Sequence, residues 1–378
     1  MTISFKFEKD IENFLKIISK NAQNQKVRVF FVGGIVRDAL LNKKTQDLDL
    51  IIEGNAINFA QNLPENIKIK SIHEDFGTVK LNYNNIEIDI ASTRKESYPY
   101  SGCLPKVEKI GVSIKEDVKR RDFSVNSLYA EIIENNNKLD YKLIDLVNGT
   151  EDINSKTLKV LHSNSYIDDP TRILRGLNFK YRFNFDFSDN DKLLIKKYLK
   201  KINYKNASYD RILAVFRHIL SREFSDIIFK EIIKNQYYKI LNKTDLIVDL
   251  DRINSIVEKF SLKNKEKTEF YLDIIQNREI EKNSFKKEID YYKFLNKENK
   301  SYCAYYCYKF NDEKLIKYIK KINIKLYVTG DDLIKLNYPK GKLYSEIFDN
   351  LLSNKLINPE NFQTKNDEIL WIKNNYPI

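Results

Sequence analysis

Cysteine is scarce in this sequence: Cys103, Cys303 and Cys307 are the only three in 378 residues. Three thiols without paired spacing argue against a disulfide framework and a zinc site, and they are typical of a reducing compartment. We therefore expect a cytoplasmic protein. Cys303 and Cys307 are four residues apart on a predicted helix, where two small core residues are the simplest interpretation.

Long hydrophobic runs are also missing. No apolar stretch approaches the ~20 residues that span a bilayer, so no membrane segment is predicted. The first residues, "MTISFKFEKDIENFLKIISK", contain acids and lack the basic start and apolar centre of a secretory signal. Histidine occurs only three times, with no His-Asp pair at ligand spacing, which argues against an appended metal phosphohydrolase domain.

Positive charge, by contrast, is abundant. The formal net charge is +12, which suits a polyanionic partner such as RNA, although the richness in Lys, Asn, Ile and Tyr is equally consistent with genome base composition. Hydrophobic residues make up 42% and charged residues 31%, an ordinary globular composition. The length suits about two to three domains.

The chain changes character near residue 155. Strand and turn patterns dominate before it, and glycine-poor helical patterns follow. We predict helices at 4–24, 35–41 and 117–133, strands at 27–32, 47–52 and 143–146, a hairpin of 78–83 with 86–91, a turn at "NGTED" and a loop at 97–112.

The stretch "DLDL" carries a candidate metal site. Residues i and i+2 of a strand face the same way, so Asp47 and Asp49 project together. Paired carboxylates suit Mg²⁺, which prefers oxygen ligands, and Asp89 in "IEIDIAS" offers a third carboxylate on a neighbouring strand. A bare Asp-x-Asp also occurs by chance in most chains of this length.

Three further motifs can hold a nucleotide. Gly33-Gly34 ends a strand before the helix with Arg37, which suits a phosphate or simply a tight turn. Arg120 and Arg121 precede Asp122 and Asn126, either as phosphate-binding forks or as a solvated helix start. In "DDPTRILRGLNF", Asp169 and Arg172 are three apart at a helix start and share a face, and Arg175 follows; a capped helix with an ion pair is the alternative.

In this order the motifs resemble those of the class II tRNA nucleotidyltransferase and bacterial poly(A) polymerase family. The resemblance lies in "GGIVRDALL", "DLDL", "DIASTRKESY", "RRDFSVNSLYA", "IDLVNGTEDINSKTLKVLH" and "DDPTRILRGLNF". It covers roughly residues 27–185, and "NASYDRILAVFRHIL" (206–220) resembles a more degenerate neck-helix motif.

The resemblance implies an α+β fold: a polymerase-β-like nucleotidyltransferase head, built of a mixed sheet with helices, followed by an all-α neck, body and tail. The implied boundaries are 1–155 for the catalytic head, 156–220 for a neck that recognises the base, and 221–378 for a body and tail that bind tRNA.

The implied activity is template-independent addition of C, C and A, from CTP and ATP, to the 3′ end of tRNA. Two Mg²⁺ ions are expected, and the acceptor and TΨC arms of tRNA are the expected contacts. No obligatory protein partner is evident.

Site roles follow from the same resemblance. Asp47, Asp49 and Asp89 are the implied catalytic carboxylates, with Asp47 and Asp49 as Mg²⁺ ligands. The implied nucleotide-binding residues are Gly33, Gly34, Arg37, Arg120, Arg121, Asp122, Asn126, Asp169, Arg172 and Arg175. Asp169 beside Arg172 suits cytosine and adenine, which both present an amino donor next to a ring acceptor.

Several alternatives stay open. An enzyme that adds only C, only A, or a poly(A) tail would share these motifs, although "QTKNDEILWIKNNYPI" (363–378) is not the strongly basic extension that poly(A) polymerases of this type often carry. The intact carboxylates argue against a non-catalytic RNA-binding protein. The Asp-Pro-x-Arg helix and the basic helical tail argue against a small-molecule nucleotidyltransferase.

The chain departs from the family pattern at two positions. Asn178 stands where an arginine is usual, and Gly176 stands where alanine is common. Asn178 keeps hydrogen bonding but loses charge, and Gly176 weakens a helix by about 1 kcal/mol. Residues 97–112 resemble the family's flexible segment, in which Tyr98 and Tyr100 are expected to fix the loop.

Overall fold

The computed structural model describes residues 2–44, 48–201, 209–241 and 245–378. The chain divides into two compact units. The first comprises Met1–Ile219 with Asp226–Lys243, and the second comprises Leu220–Ser225 with Thr244–Ile378. The strands of the described residues all lie in the first unit, and the second is built from helices.

The strands run in chain order through the first half of the sequence. They are β1 (Arg28–Val32), β2 (Asp49–Glu53), β3 (Lys68–His73), β4 (Thr78–Tyr83), β5 (Ile86–Ser92), β6 (Arg94–Ser97), β7 (Lys106–Ile110), β8 (Leu128–Asn135), β9 (Lys138–Asp145), β10 (Thr157–Leu158) and β11 (Asp186–Phe187).

The described strands build one mixed seven-stranded sheet in the order β3-β4-β5-β2-β1-β8-β9. β2 and β5 are parallel, and the other neighbours are antiparallel. β6 pairs with β7 and β10 with β11 in two small separate ribbons. The interior strand β1, "RVFFV", is buried over four of its five residues, as its apolar run predicts.

β4 and β5 alternate between a buried and an exposed face. Val79, Leu81, Ile88 and Ile90 point into the core, so the polar residues between them share the other face. The predicted hairpin at 78–91 is confirmed, and its polar face positions one candidate carboxylate, Asp89.

Ten helices between residues 9 and 234 accompany the sheet in the described part of the chain. They are α1 (Lys9–Asn24), α2 (Gly34–Leu40), α3 (Ala56–Gln61), α4 (Ile114–Asp117), α5 (Gly149–Asn154), α6 (Ser165–Asp168), α7 (Thr171–Phe183), α8 (Asp189–Lys201), α9 (Tyr209–Leu220) and α10 (Ser225–Lys234).

The first predicted helix starts later than expected, at Lys9 rather than residue 4. The preceding segment is extended, and Ile3 donates its N–H to the carbonyl of Tyr141 at 3.0 Å. Phe5 and Phe7 alternate along this segment and both pack on the ring of Phe31. Aromatic burial on the sheet therefore replaces the first predicted helical turn.

The helix predicted at 117–133 is wrong. Residues 114–126 form only short helical turns, and β8 follows, hydrogen-bonded between β1 and β9. The consecutive buried residues Leu128, Tyr129 and Ala130 are typical of a strand covered on both faces, a signal that the helical interpretation missed. Two smaller predictions also fail: "NGTED" begins helix α5 rather than forming only a turn, and the predicted loop contains β7.

The second unit is helical throughout its regular structure. Its described helices are α11 (Leu250–Lys259), α12 (Asn264–Gln276), α13 (Glu288–Lys297), α14 (Lys300–Phe310), α15 (Glu313–Ile319), α16 (Gly330–Lys335), α17 (Lys342–Ile357) and α18 (Lys365–Asn375). Cys303 and Cys307 are free and buried on α14, as core residues. Among the helices of the described residues, none combines the length and the apolar character needed to cross a membrane.

A mixed-sheet head followed by helices is the α+β organisation that the sequence predicted, and the fold class is confirmed.

Candidate functional site

The glycine turn joins β1 to α2. Gly33 has φ +74°, a left-handed conformation that glycine adopts at low cost. Its N–H donates to the carbonyl of Leu128 at 3.3 Å, so this group serves the fold rather than a phosphate. Both Gly33 and Gly34 line a cavity of about 500 Å³.

Arg37 is buried beneath the glycine turn. Its Nε and Nη2 donate to Asp38 Oδ1 at 2.9 and 2.7 Å, and its Nη1 donates to Asn126 Oδ1 at 2.5 Å. The guanidinium lies 4.2 Å from the centre of the Phe183 ring, a cation–π contact. Burial lowers the pKa of Arg37, but an arginine remains charged at neutral pH.

Asn126 connects Arg37 to the start of the neck. Its Nδ2 donates to Asp122 Oδ1 at 3.3 Å, while Asp122 Oδ2 forms an ion pair with Arg175 Nη2 at 2.7 Å. Burial tends to raise the pKa of Asp122, but Arg175 and the N–H of Phe123 outweigh it, so the pKa is lowered. Two hydrogen bonds and one ion pair thus connect four predicted residues, Arg37, Asn126, Asp122 and Arg175.

Arg120 and Arg121 share a buried carboxylate that sequence reasoning missed. Asp117 is fully buried and accepts from Arg120 Nε at 2.8 Å and from Arg121 Nη2 at 2.8 Å. Tyr129 Oη donates to Asp117 Oδ2 at 2.8 Å and accepts from Arg121 Nε at 3.0 Å. Glu96, also buried, lies 3.4 Å from Arg120 Nη1 and 2.6 Å from the Nε of Arg94.

These contacts determine the charge of the Asp117 carboxyl group. Burial alone would raise the pKa of Asp117, but Arg121 and Arg120 outweigh it and hold the pKa at about 2. Asp117 is therefore ionised at neutral pH and fixes both guanidinium groups in place. The only sequence signal for Asp117 was its spacing, three and four residues before the arginines on a helical turn.

Asp49 and Asp89 are direct neighbours in the sheet. β2 and β5 are parallel and pair Asp49 with Asp89, so both side chains project from the same face. Both are exposed. Asp49 lines the large cavity, and both line an adjoining cavity of about 410 Å³. Asp47 lies outside the described residues.

The ligand type of this pair suits a hard divalent cation, which prefers oxygen ligands. Both carboxylates are exposed on adjacent strands, next to a cavity. Within the described ranges, no group of three metal-ligating side chains is found. Asp49 and Asp89 are the described carboxylates that could hold Mg²⁺ at this border.

Asp169 and Arg172 both line the large cavity, but they have different partners. Asp169 Oδ1 forms an ion pair with Arg211 Nη2 at 2.5 Å and accepts a hydrogen bond from the hydroxyl of Thr171 at 2.6 Å. Arg172 donates to the hydroxyl of Ser165 and, through Nη2, to the carbonyl of Arg120 at 2.8 Å. The i,i+3 spacing brings them to one cavity without an ion pair between them.

Arg211 on α9 is a second residue that sequence reasoning missed, although it lies in the neck-like motif. Besides Asp169, it donates to the carbonyls of Gly102 and Cys103 at 3.4 and 3.2 Å. Tyr98 Oη lies 3.4 Å from Arg172 Nη2. The tip of the predicted loop is thus held against the residues expected to recognise the base.

The cavity has a strong excess of positive charge. In the described part of the chain, seven arginines and four acidic residues line it: Arg37, Arg94, Arg120, Arg121, Arg172, Arg175 and Arg211, with Asp49, Glu96, Asp122 and Asp169. Each predicted nucleotide-binding residue contributes to its wall. Such a cavity suits a multiply charged anion of nucleotide size.

The structure explains one of the two departures from the family pattern, Gly176, and gives no reason for the other, Asn178. A Cβ at Gly176 would lie 2.4 Å from the Phe187 ring, so glycine is needed for close packing of α7. Asn178 is half-buried and does not line the cavity.

Comparison with known proteins agrees with this geometry. Residues 29–159 match the poly A polymerase head domain. The chain is 39% identical over 190 residues to the A-adding tRNA nucleotidyltransferase of Aquifex aeolicus, covering 50% of this chain and 22% of that protein. It is 26% identical over 207 residues to the CCA-adding enzyme of Staphylococcus epidermidis, covering 54% and 49%.

The fold extends over the whole chain. A solved structure of the Thermotoga maritima CCA-adding enzyme complexed with tRNA superposes with a TM-score of 0.71 at 21% identity, covering 97% of this chain and 96% of that one. Residues 29–159 thus match the head domain of the family that the motifs resemble, and the remainder of the chain is similar to these proteins in fold. The chain spans less than half the length of the curated relatives named above.

Proposed function

We propose that this protein is a tRNA nucleotidyltransferase that adds C, C and A to the 3′ end of tRNA from CTP and ATP. The observation that carries the proposal is the arginine-lined cavity with a carboxylate pair at its border. The cavity holds the nucleoside triphosphate, and the carboxylates mark the place where the RNA end meets it.

In the proposed reaction, the 3′-hydroxyl of the RNA loses its proton to solvent, and its oxygen forms a bond to the α-phosphorus of the nucleotide. The bond from that phosphorus to the bridging oxygen of the β-phosphate breaks, and pyrophosphate leaves. Arg37, Arg120, Arg121 and Arg175 surround the negative charge and orient it, each already fixed by a carboxylate or an amide. Preorganised charge of this kind supplies much of the acceleration of phosphoryl transfer.

Asp49 and Asp89, together with Asp47, would hold Mg²⁺, which supplies Lewis-acid stabilisation of the phosphates when bound.

Base selection falls to Asp169 and Arg172. Among the described residues, the hydrogen bonds to Asp169 end on Oδ1, which leaves Oδ2 to accept from an amino group. A guanidinium beside it can donate to the adjacent ring nitrogen. Cytosine and adenine present this amino and ring-nitrogen pair, whereas uracil and guanine present the reverse and would leave buried groups unpaired.

Addition of A alone is the second candidate function, because the Aquifex relative of higher identity is an A-adding enzyme. Both activities need the same Asp169–Arg172 pair. Residues 221–378, the predicted body and tail, are proposed to bind the acceptor and TΨC arms through contacts to the RNA backbone.

The test uses tRNA transcripts that end before CCA, after C and after CC. Each is incubated with the purified protein, Mg²⁺ and CTP, ATP or both, and the products are sized at one-nucleotide resolution. We expect growth to CCA from every start, followed by a stop. Growth only from CC with ATP would establish A addition, and a long ATP ladder would establish a poly(A) polymerase. If no transcript is extended, the proposed nucleotidyltransferase activity is rejected.

A further inference from the structure

A separate cavity of about 430 Å³ is lined by residues of α6, α8 and the tip of the loop at 97–112, and we call it the α6–α8 cavity. Among the described residues, it has no lining residue in common with the candidate nucleotide site. Its volume lies within the range of about 300–1,000 Å³ that is typical of small-molecule sites. The first unit therefore offers a second, independent place for a ligand.

One side of the α6–α8 cavity is apolar and aromatic. Tyr166 and Tyr198 are buried in its wall, Leu194 is half-buried, and Ile167 is 46% exposed. The hydroxyl of Tyr166 donates to Asp191 Oδ1 at 2.7 Å, so its polar group is already satisfied. An exposed isoleucine beside aromatic rings favours contact with a planar apolar group, such as a nucleobase, over contact with water.

The α8 side of the cavity carries positive charge. Lys197 and Lys201 are four residues apart on α8, so they share one face of the helix, and both line the cavity. Both are exposed, and in the part of the chain that the structure describes, neither lysine forms an ion pair and no acidic residue lines this cavity. Two such cations suit a phosphate monoester, which carries about −1.5 to −2 charges at neutral pH.

Hydrogen bonds fix the wall between the lysines and the loop. Ser101 Oγ donates to the carbonyl of Ile167 at 2.6 Å, and the N–H of Gly102 donates to the carbonyl of Asp168 at 3.2 Å. These two bonds hold the loop tip against α6. Asn164 in the same wall is exposed, and its amide can both donate to and accept from the edge of a base. A wall that is already fixed loses little conformational entropy when a ligand binds.

We propose that the α6–α8 cavity binds a nucleoside monophosphate, with its base against Tyr198 and Ile167 and its phosphate at Lys197 and Lys201. The site goes beyond the proposed function and does not depend on it. A free nucleotide fits better than a nucleotide within RNA, because two lysines match the charge of a terminal phosphate, whereas each phosphodiester of RNA carries a single charge.

The test is isothermal titration calorimetry of AMP into the full chain. The cavity variant, Lys197→Ala with Lys201→Ala, is compared with the control Lys196→Ala with Lys200→Ala. The control removes the same charge at the same spacing from exposed positions of the same helix that do not line the cavity. We expect the wild type and the control to bind AMP with Kd values within about twofold of each other. The cavity variant should bind AMP at least about tenfold more weakly, because it loses charge-assisted contacts.

Ligands that lack one part of AMP test the two halves of the site. Adenosine and ribose 5-phosphate should each bind at least about fivefold more weakly than AMP, since phosphate contacts and base stacking both contribute. Ribose 5-phosphate that binds as tightly as AMP would reveal an anion site without base recognition, and this result overturns the proposal.

Three further results also overturn it. Equal AMP binding by the two double variants would place AMP elsewhere, for example in the candidate nucleotide site. An RNA trinucleotide of adenosine that binds more tightly than AMP, and loses affinity in the cavity variant, would assign the cavity to RNA. The third is the lack of any saturable binding of AMP to the wild type at about 1 mM. All the substituted lysines are exposed, so both double variants should fold, and urea unfolding checks this.

Discussion

Each unit contains a fully buried carboxylate paired with a cation, and the two pairs serve different ends. In the first unit, Asp117 holds Arg120 and Arg121, which line a cavity. In the second, Glu368 accepts from Lys355 Nζ at 2.6 Å and from the N–H groups of Tyr327 and Val328 at 2.8 Å.

The difference lies in what the cations do. Lys355 is itself buried and packs 3.7 Å from the centre of the Tyr327 ring. The ion pair of Lys355 with Glu368 therefore lies in the interior and joins α17 to α18. The Asp117 pair instead holds two arginines in a cavity wall. Because desolvating an ion pair is costly, a buried carboxylate by itself does not indicate a functional site. What distinguishes the first unit is that its cations face a cavity.

The largest expected effect concerns an exposed carboxylate, in contrast to both buried ones. Asp49→Asn should lower kcat by about a thousandfold, because it removes charge at the border of both cavities. Its free energy of unfolding should stay within about 0.5 kcal/mol of the wild type, since the side chain is exposed. Single-turnover extension and urea unfolding measure the two quantities. Equal kcat values for the wild type and Asp49→Asn would show that Asp49 has no role in catalysis.

Asp117→Asn should affect both stability and substrate binding. It leaves two buried arginines without their shared counter-charge, so we expect a loss of about 4 kcal/mol in the free energy of unfolding. At a temperature where the variant is folded, the KM for ATP should rise about tenfold because Arg120 and Arg121 lose their fixed positions. An unchanged KM in the folded variant would show that Asp117 only stabilises the fold.

Glu368→Gln in the second unit sharpens the same contrast. We expect a loss of about 3 kcal/mol in the free energy of unfolding, since Lys355 stays buried beside a neutral amide. The KM for ATP of the folded variant should stay within about twofold of the wild type. A rise comparable to that of Asp117→Asn would erase the distinction between the two buried pairs.

The contribution of ionised Asp117 to the free energy of unfolding should depend on pH in the acid range. The folded-state pKa of Asp117, about 2, lies below the ordinary value of 3.8. Its contribution is therefore complete above pH 4 and is lost as the pH falls from about 4 to about 2. The loss should amount to about 2 kcal/mol. Unfolding of the wild type and of Asp117→Asn across this range should show a difference that shrinks with acid, and a constant difference would contradict the assignment.

Gly176→Ala should have the smallest effect. Alanine raises helix propensity by about 1 kcal/mol, but its Cβ would meet the Phe187 ring, and overpacking costs about 1–3 kcal/mol. We expect a net loss of about 1 kcal/mol, measured by urea unfolding. A gain in stability would mean that the ring moves freely and that Gly176 reflects helix flexibility instead.

Local patterns predicted part of the candidate site. The glycine turn, the exposed position of Asp49 and the start of α7 follow from residue types and spacings of two to four, which local sterics govern. The same local logic failed at 117–133, because pairing with β1 and β9 favours a strand that helix propensity alone does not predict.

Local spacing also did not predict which acidic residue pairs with which arginine. Asp169 and Arg172 share a face, but Asp169 pairs with Arg211, forty-two residues further along the chain. Arg120 and Arg121 adjoin Asp122 in sequence, but they pair with Asp117, while Asp122 pairs with Arg175. A buried charge takes whichever opposite charge the packing brings into contact, and that choice depends on distance in space.

The sequence by itself determined the resemblance to a family, the α+β class and the residue types gathered at the site, because these depend on motif order and on short-range periodicity. Only the tertiary structure decided that Asp49 and Asp89 are register partners, that Arg211 holds the loop tip beside Asp169, and that a second cavity adjoins the first. Strand order and burial join residues that are far apart in the chain, and no local spacing encodes which of them will meet.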